Sequence, residues 1–188
     1  MGRPMNKTDF AEMSCPVARS LARVGEWWSI LILRDAFYGL TRFYEFEASL
    51  DIAPNMLSRR LNDLVKNGLL QRRPYSRKPL RYEYLLTEAG WAFRPVIWAL
   101  VAWGNAYFSP EGPASILINR QTGAPAEPVL VDAVTGQRMS PTDYRLGPGP
   151  AASEQMRYRM DFQWLKHASG DENFRFAPPA KRLPGEAQ

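Results

Sequence analysis

The sequence predicts a mainly α, α+β chain: a series of helices, one basic two-stranded hairpin, and a small β-rich extension toward the C-terminus. Three observations predict it. Apolar residues recur at helical spacing in segments punctuated by Gly25, Gly39 and Gly68. Residues 54–81 combine a helical apolar stripe with two short strand-like runs, and hold 8 Lys/Arg against one acid, Asp63. Beyond Ser109 the composition turns to Pro, Gly and short apolar runs.

The elements follow in order. Cys15–Val24 reads as a short helix, with Pro16 at the first helical position, where a missing N–H costs nothing. Gly25 breaks it. Glu26–Tyr38 is apolar on nearly every side, through Trp27, Trp28, Ile30, Leu31, Ile32, Leu33 and Phe37, which predicts a central buried helix. Gly39 ends it, and Thr41 is placed to cap a third helix, Arg42–Leu50. Asp51-Ile52-Ala53 then links to a helix over Pro54–Asn67, with Gly68 after its end. Helix, three-residue link, helix is the helix-turn-helix pattern, whose second helix enters a major groove. Leu69–Pro74 and Arg81–Leu86 pair as strands around Tyr75–Leu80. Thr87 caps a long helix, Glu88–Phe108, whose apolar residues cover too much circumference for one small core.

The remainder opens with a linker at Pro110, Gly112 and Pro113. Ile116–Gly123 and Val129–Gly136 are alike: an apolar strand, a polar turn, then Thr-Gly. Glu154–His167 predicts a short helix. The expected organisation is an N-terminal arm over 1–13, a main domain over 14–108, a small β-containing extension over 109–175, and a disordered tail over 176–188.

Composition narrows the function. Of 188 residues, 45% are hydrophobic, enough for a core, so disorder is not expected. The first residues show no apolar run after their charges, so no secretory signal is read. The apolar stretch Trp91–Phe108 is broken by Arg94, Pro95 and Asn105, against a membrane span. A single Cys excludes an internal disulfide and a cysteine-based zinc site. A single His, His167, leaves little for a metal or a His-based catalytic pair, and no phosphate loop or nucleophile elbow is present. The expectation is a cytoplasmic protein without a cofactor and without membrane attachment, and not an enzyme.

Charge points to the partner. Residues 54–81 carry a net +7, while the whole chain is only +5, so everything outside the window sums to −2. Such a local patch on a helix and hairpin fits a phosphate backbone.

The residues then carry a family likeness. Cys15-Pro-Val-Ala, Gly25-Glu-Trp-Trp-Ser-Ile-Leu-Ile-Leu-Arg-Asp, Arg42-Phe, Leu57-Ser-Arg-Arg-Leu-Asn-Asp-Leu, Asn67-Gly-Leu and Tyr82-Glu-Tyr-Leu-Leu-Thr-Glu-Ala-Gly resemble the HxlR-type winged helix-turn-helix regulators over about residues 14–108. Trp28 departs from the pattern, since the family more often follows the first tryptophan with a small polar residue. The resemblance implies a two-stranded wing and a homodimeric bacterial transcription regulator, with the first and last helices of the domain forming the dimer contact. In some longer members the extension resembles a zinc ribbon with Cys-Gly turns. The matching positions here are Thr122, Asp132 and Thr135, which implies a ribbon without its metal.

Candidate binding residues follow from the helical wheel. Leu57, Leu61 and Leu64 form one stripe; Asn55, Arg59, Asn62 and Lys66 lie opposite, bordered by Met56 and Ser58. Arg59 and Asn55 have forked groups that match guanine and adenine edges. Ser58, Arg60 and Lys66 suit phosphates, since positioning contacts outnumber base contacts. The alternative for all of them is a solvated helix face. Arg77, Lys78 and Arg81 sit in or beside the wing, where the alternative is an exposed loop, Tyr75 and Ser76 above all. The expected partner is double-stranded DNA with a roughly palindromic operator, read by a dimer that acts as a repressor.

Cys15 precedes Pro16 at a helix N-terminus, where the helix dipole favours the thiolate. Some members of the family sense oxidants or electrophiles through a cysteine at this position. Cys15 is therefore a candidate redox sensor, its alternative being a small buried residue at the dimer contact. Trp91, Trp98, Trp103, Tyr107 and Phe108 suit a core or a dimer interface better than a pocket for a small-molecule effector. An enzyme or carrier that uses the extension is the reading from another class, and the missing catalytic constellation counts against it.

Overall fold

The computed structural model describes residues 9–177. The chain divides into two compact units. One spans Arg23–Val131; among the described residues the other gathers 9–22 with 132–177.

In the first unit, α2 (Trp27–Phe37), α3 (Phe43–Leu50) and α4 (Pro54–Lys66) surround one apolar core. Ile32, Leu33, Phe46, Leu57, Leu61 and Leu64 are fully buried there. Trp28 packs against the same core, whereas Trp27 is 76% exposed, so α2 is buried on one side rather than all round. Asp51, at φ 48°, occupies the left-handed region and turns the chain from α3 to α4.

The start of α3 differs from expectation. Arg42 is the N-cap, and the cap is made from within the helix. The Glu45 carboxylate accepts the Thr41 and Arg42 N–H groups, both at 2.8 Å. Thr41 is used elsewhere: its carbonyl accepts the Tyr84 N–H at 2.7 Å, and Arg42 bridges to Glu83. The wing is thereby tied to the segment that leads into α3.

The wing is also longer than the sequence suggested. β1 (Leu70–Arg77) and β2 (Leu80–Leu86) pair antiparallel almost to the tip, leaving Lys78-Pro79 as the turn. Pairing shifts register between Pro74 and Ser76, so Tyr75 is the extra residue and the ladder resumes at Ser76 opposite Arg81. Pro74 is tolerated because β1 is an edge strand.

The single helix expected over Glu88–Phe108 is two, α5 (Glu88–Ala92) and α6 (Arg94–Tyr107). Pro95 lacks the N–H that would continue the ladder through Phe93. Thr87 caps α5 as predicted, its Oγ1 accepting from Gly90 N–H at 3.1 Å. That hydroxyl also donates to the Gly68 carbonyl at 2.6 Å.

The extension is sparser in strands than expected. β3 (Leu117–Ile118) pairs with β4 (Pro125–Ala126), so the first Thr-Gly turn closes a small hairpin. Val129–Val131 adds no strand of its own; Leu130 is 72% exposed and no apolar face is covered there.

Helix α1 (Pro16–Val24) begins at Pro16, and in the second unit α7 (Glu154–Ser169) is capped by Ser153, which accepts from Met156 N–H at 3.2 Å. Phe176, placed by the sequence in a disordered tail, packs edge-on against Tyr158 and Phe162. The rest of that tail, and most of the N-terminal arm, lie outside the described residues. Among the described residues no helix is long and apolar enough to cross a membrane.

Candidate nucleic-acid interface

α4 is amphipathic for a local reason. Leu57, Leu61 and Leu64 recur at four- and three-residue spacing and all face the core. Asn55, Ser58, Arg59, Asn62 and Lys66 are exposed on the other side, with Met56 at 37% exposure on the border. Six of the seven side chains predicted on this helix therefore share an accessible surface.

Arg60 is the correction. Expected among the phosphate contacts, it is 7% exposed. Its Nη2 lies 3.0 Å from Glu26 Oε2 and its Nη1 3.2 Å from Asp63 Oδ2. The wheel carried the signal. Arg60 is three residues after Leu57 and four before Leu64, which places it on the flank of the buried stripe. Asp63, the one acid of α4, is paired by the same guanidinium, so the exposed face is left to neutral and basic groups.

The wing presents Arg77, Lys78 and Arg81 exposed around its tip. Tyr75 and Ser76 are not a free loop. Both are half-buried; the Arg42 guanidinium lies 4.6 Å from the Tyr75 ring centroid, and Ser76 Oγ donates to the Pro79 carbonyl at 2.8 Å. Sequence reasoning left Arg72 and Arg73 unassigned. Arg72 lies over the Tyr82 ring at 4.2 Å, and Arg73 Nε donates to Glu83 Oε1 at 2.8 Å from the directly opposed position. Alternating charged and aromatic residues across the two strands were the readable signal.

Three ionisable groups near this surface are perturbed, and the Tyr44 hydroxyl raises the first, the Arg42 guanidinium. The Thr41 and Arg42 amides hold the Glu45 carboxyl below the ordinary glutamate range. Burial pushes the Tyr84 phenol up.

A family model described as HxlR-like helix-turn-helix matches residues 23–112. The HTH-type transcriptional regulator Rv3095 of Mycobacterium tuberculosis is 42% identical over 135 residues, covering 71% of this chain and 85% of that protein.

The chain belongs to the HxlR-like helix-turn-helix family.

It is accordingly a transcriptional regulator of the helix-turn-helix type. The chain is also similar to two solved structures. PA1374 from Pseudomonas aeruginosa is 54% identical, covering 77% of this chain and 99% of that one, at a TM-score of 0.58. PA1607 is 38% identical, covering 76% and 100%, at a TM-score of 0.68.

In this HxlR-like regulator Cys15 is partly buried, immediately before the first residue of α1. Trp91 packs on Phe37, with rings 5.7 Å apart, and under Arg94. Trp103 meets Phe108 edge-on at 4.9 Å. A shallow cleft of about 310 Å³ beside α6 is lined by Val101, Ala102, Asn105 and Ala106 with Ile116 and Leu117, and by none of the five aromatics considered for an effector.

The two Thr-Gly turns share one hydrogen-bond pattern. Asn119 Oδ1 accepts from the N–H groups two and three residues on, at 2.9 and 3.3 Å. Asp132 Oδ1 accepts from Val134 N–H at 2.9 Å. Thr122 and Thr135 hydroxyls each accept from the amide two residues later at 3.3 Å. Gly123 and Gly136, at φ 71° and 72°, supply the left-handed step both turns need. The Val134 amide, then the Thr135 hydroxyl, lower the Asp132 pKa. Among the described residues no group of three His, Cys, Asp or Glu could hold a metal.

Proposed function

We propose that this regulator acts as a cytoplasmic homodimer that binds a roughly palindromic double-stranded operator and represses nearby genes, without catalytic activity. One observation carries the reading: Asn55, Arg59, Asn62 and Lys66 are exposed together on α4, directly opposite its buried leucines. α4 enters a major groove, where Asn55 and Arg59 read base edges. Met56 and Ser58 border the groove, and Ser58 and Lys66 meet phosphates. Arg77, Lys78 and Arg81 of the wing contact the neighbouring backbone or minor groove. Dimerisation supplies the second half-site. Its support is the exposed apolar surface of α6, where Trp103 is 56% and Tyr107 73% exposed, together with Val17 at 61% and Leu21 at 48% on α1. We read the extension as one that resembles a zinc ribbon without its metal, Thr122, Asp132 and Thr135 being the positions that match its Cys-Gly turns.

The test is a selection from random duplexes with the full chain, followed by footprinting and sedimentation. The reading expects a dimer at micromolar concentration and two protected half-sites about 10 base pairs apart, centre to centre. A monomer, or binding without sequence preference, contradicts it.

A second reading is that DNA binding is switched through Cys15. The partial exposure of its side chain beside the first turn of α1 favours it. Peroxide should then release the wild type from DNA reversibly and leave Cys15→Ser bound. Equal behaviour of the two proteins ends this reading.

A further inference from the structure

α4 is fastened by two polar ties to the short stretch that joins α1 to α2. The first is Arg60 to Glu26, at 3.0 Å. The second comes from Asn67, the C-cap of α4, whose Nδ2 donates to the Arg23 carbonyl at 3.3 Å. Arg60 and Asn67 are seven residues apart, so the ties lie about 10 Å apart along the helix axis. Both anchors, Arg23 and Glu26, flank the Val24-Gly25 break.

Glu26 is placed for this use rather than for capping. It is the N-cap residue of α2 in an extended conformation, yet its side chain caps no amide of that helix. Its carboxylate goes to Arg60 instead.

The arrangement is a poor choice for stability alone. Arg60 is buried, and its Nε has no hydrogen-bond partner among the described residues. Desolvating a guanidinium is costly, and an apolar side chain of similar volume would serve the core as well or better. What the pair supplies is direction. The leucine stripe is apolar, and the attraction that buries it is non-directional. Successive residues are about 100° apart round a helix, so a modest rotation moves Asn55 and Arg59 off the base edges they read.

We propose that Arg60 is a positioning residue for sequence reading: through Glu26 it fixes the rotation of α4, and it does not touch DNA itself. This rests on the assignment of α4 as the reading helix.

The experiment uses the full chain, the best-bound duplex from a wild-type selection, and a random duplex of equal length. Arg60→Met, Glu26→Gln and the double variant are compared by affinity across salt and by thermal midpoint. Each single variant should lower the ratio of selected to random affinity by roughly tenfold. The double variant should do no worse than Arg60→Met alone, because Glu26 has no tie left to lose once Arg60 is gone. The salt slope should be unchanged, and the midpoint should move little. Glu26 is 59% exposed in its side chain, so Glu26→Gln remains decisive if Arg60→Met folds badly. Removing an acid near DNA should by simple electrostatics strengthen binding; a loss of selectivity in Glu26→Gln is specific to positioning. An unchanged ratio in Glu26→Gln overturns the proposal. So does a salt slope reduced by about 1 in Arg60→Met alone, which would make Arg60 a phosphate contact. A wild type that selects no sequence overturns the reading-helix assignment, and this proposal with it.

Discussion

Arg59 and Arg60 are neighbours in the chain but differ in setting: Arg59 is exposed on the outer side of α4, while Arg60 is 7% exposed and held by Glu26 and Asp63. Two adjacent arginines thus meet different surroundings. Their substitution should have different signatures, since a surface cation acts through what it meets outside and a buried one through what it holds inside.

At the wing, Lys78→Ala should weaken binding to selected and random duplexes alike. It should also reduce the salt slope by about 1, the change expected when one phosphate is no longer neutralised. Affinity measured over a salt series checks this. A weakening confined to one sequence would place Lys78 on a base edge instead.

Gly90→Ala should destabilise the fold. A Cβ at Gly90 would meet the Leu69 carbonyl oxygen, which is backbone, and lie 3.0 Å from Leu86 Cδ2. The Leu69 carbonyl is itself fixed by Thr87 N–H at 3.1 Å. Overpacking of this kind costs about 1–3 kcal/mol. Denaturant titration checks it, and an unchanged midpoint would mean that α5 can shift away from the wing.

Glu45 gives a pH dependence of defined sign. Its folded pKa is depressed by the Thr41 and Arg42 amides, so the unfolded state binds more protons as acid is added. The contribution is present above the ordinary glutamate value, about 4.3, and is lost as pH falls through the depressed folded value. Wild type should therefore exceed Glu45→Gln in stability at neutral pH, and the gap should close once the pH has fallen below the depressed folded value. Urea unfolding at both conditions checks this; a gap that persists in acid would assign it to packing.

Much of this was legible in the sequence because it follows from period and punctuation. Leu57, Leu61 and Leu64 announced the buried side of α4, and Thr87 its cap on α5. What was not legible depended on partners remote in the chain. The place of Arg60 beside the leucine stripe was on the wheel, but its partner was not, because Glu26 is 34 positions away. Thr41 looked like a cap because its pairing with Tyr84 is long-range. Tyr75 looked like loop because a bulge leaves no periodic trace. Pro95 did carry its warning, and the break at Phe93 could have been read from it.

The central claim is that the exposed side of α4 reads sequence, and Arg59→Ala tests it most directly. Wild type and variant are each put through selection from a random duplex pool, and affinities for the recovered sites are compared. If Arg59 grips guanine with both arms of its fork, the variant should bind about 1–3 kcal/mol more weakly per half-site and show a relaxed preference at one position in each. The same preferred sequence from both proteins, with affinity lowered equally for every duplex, would contradict it and make Arg59 a phosphate contact.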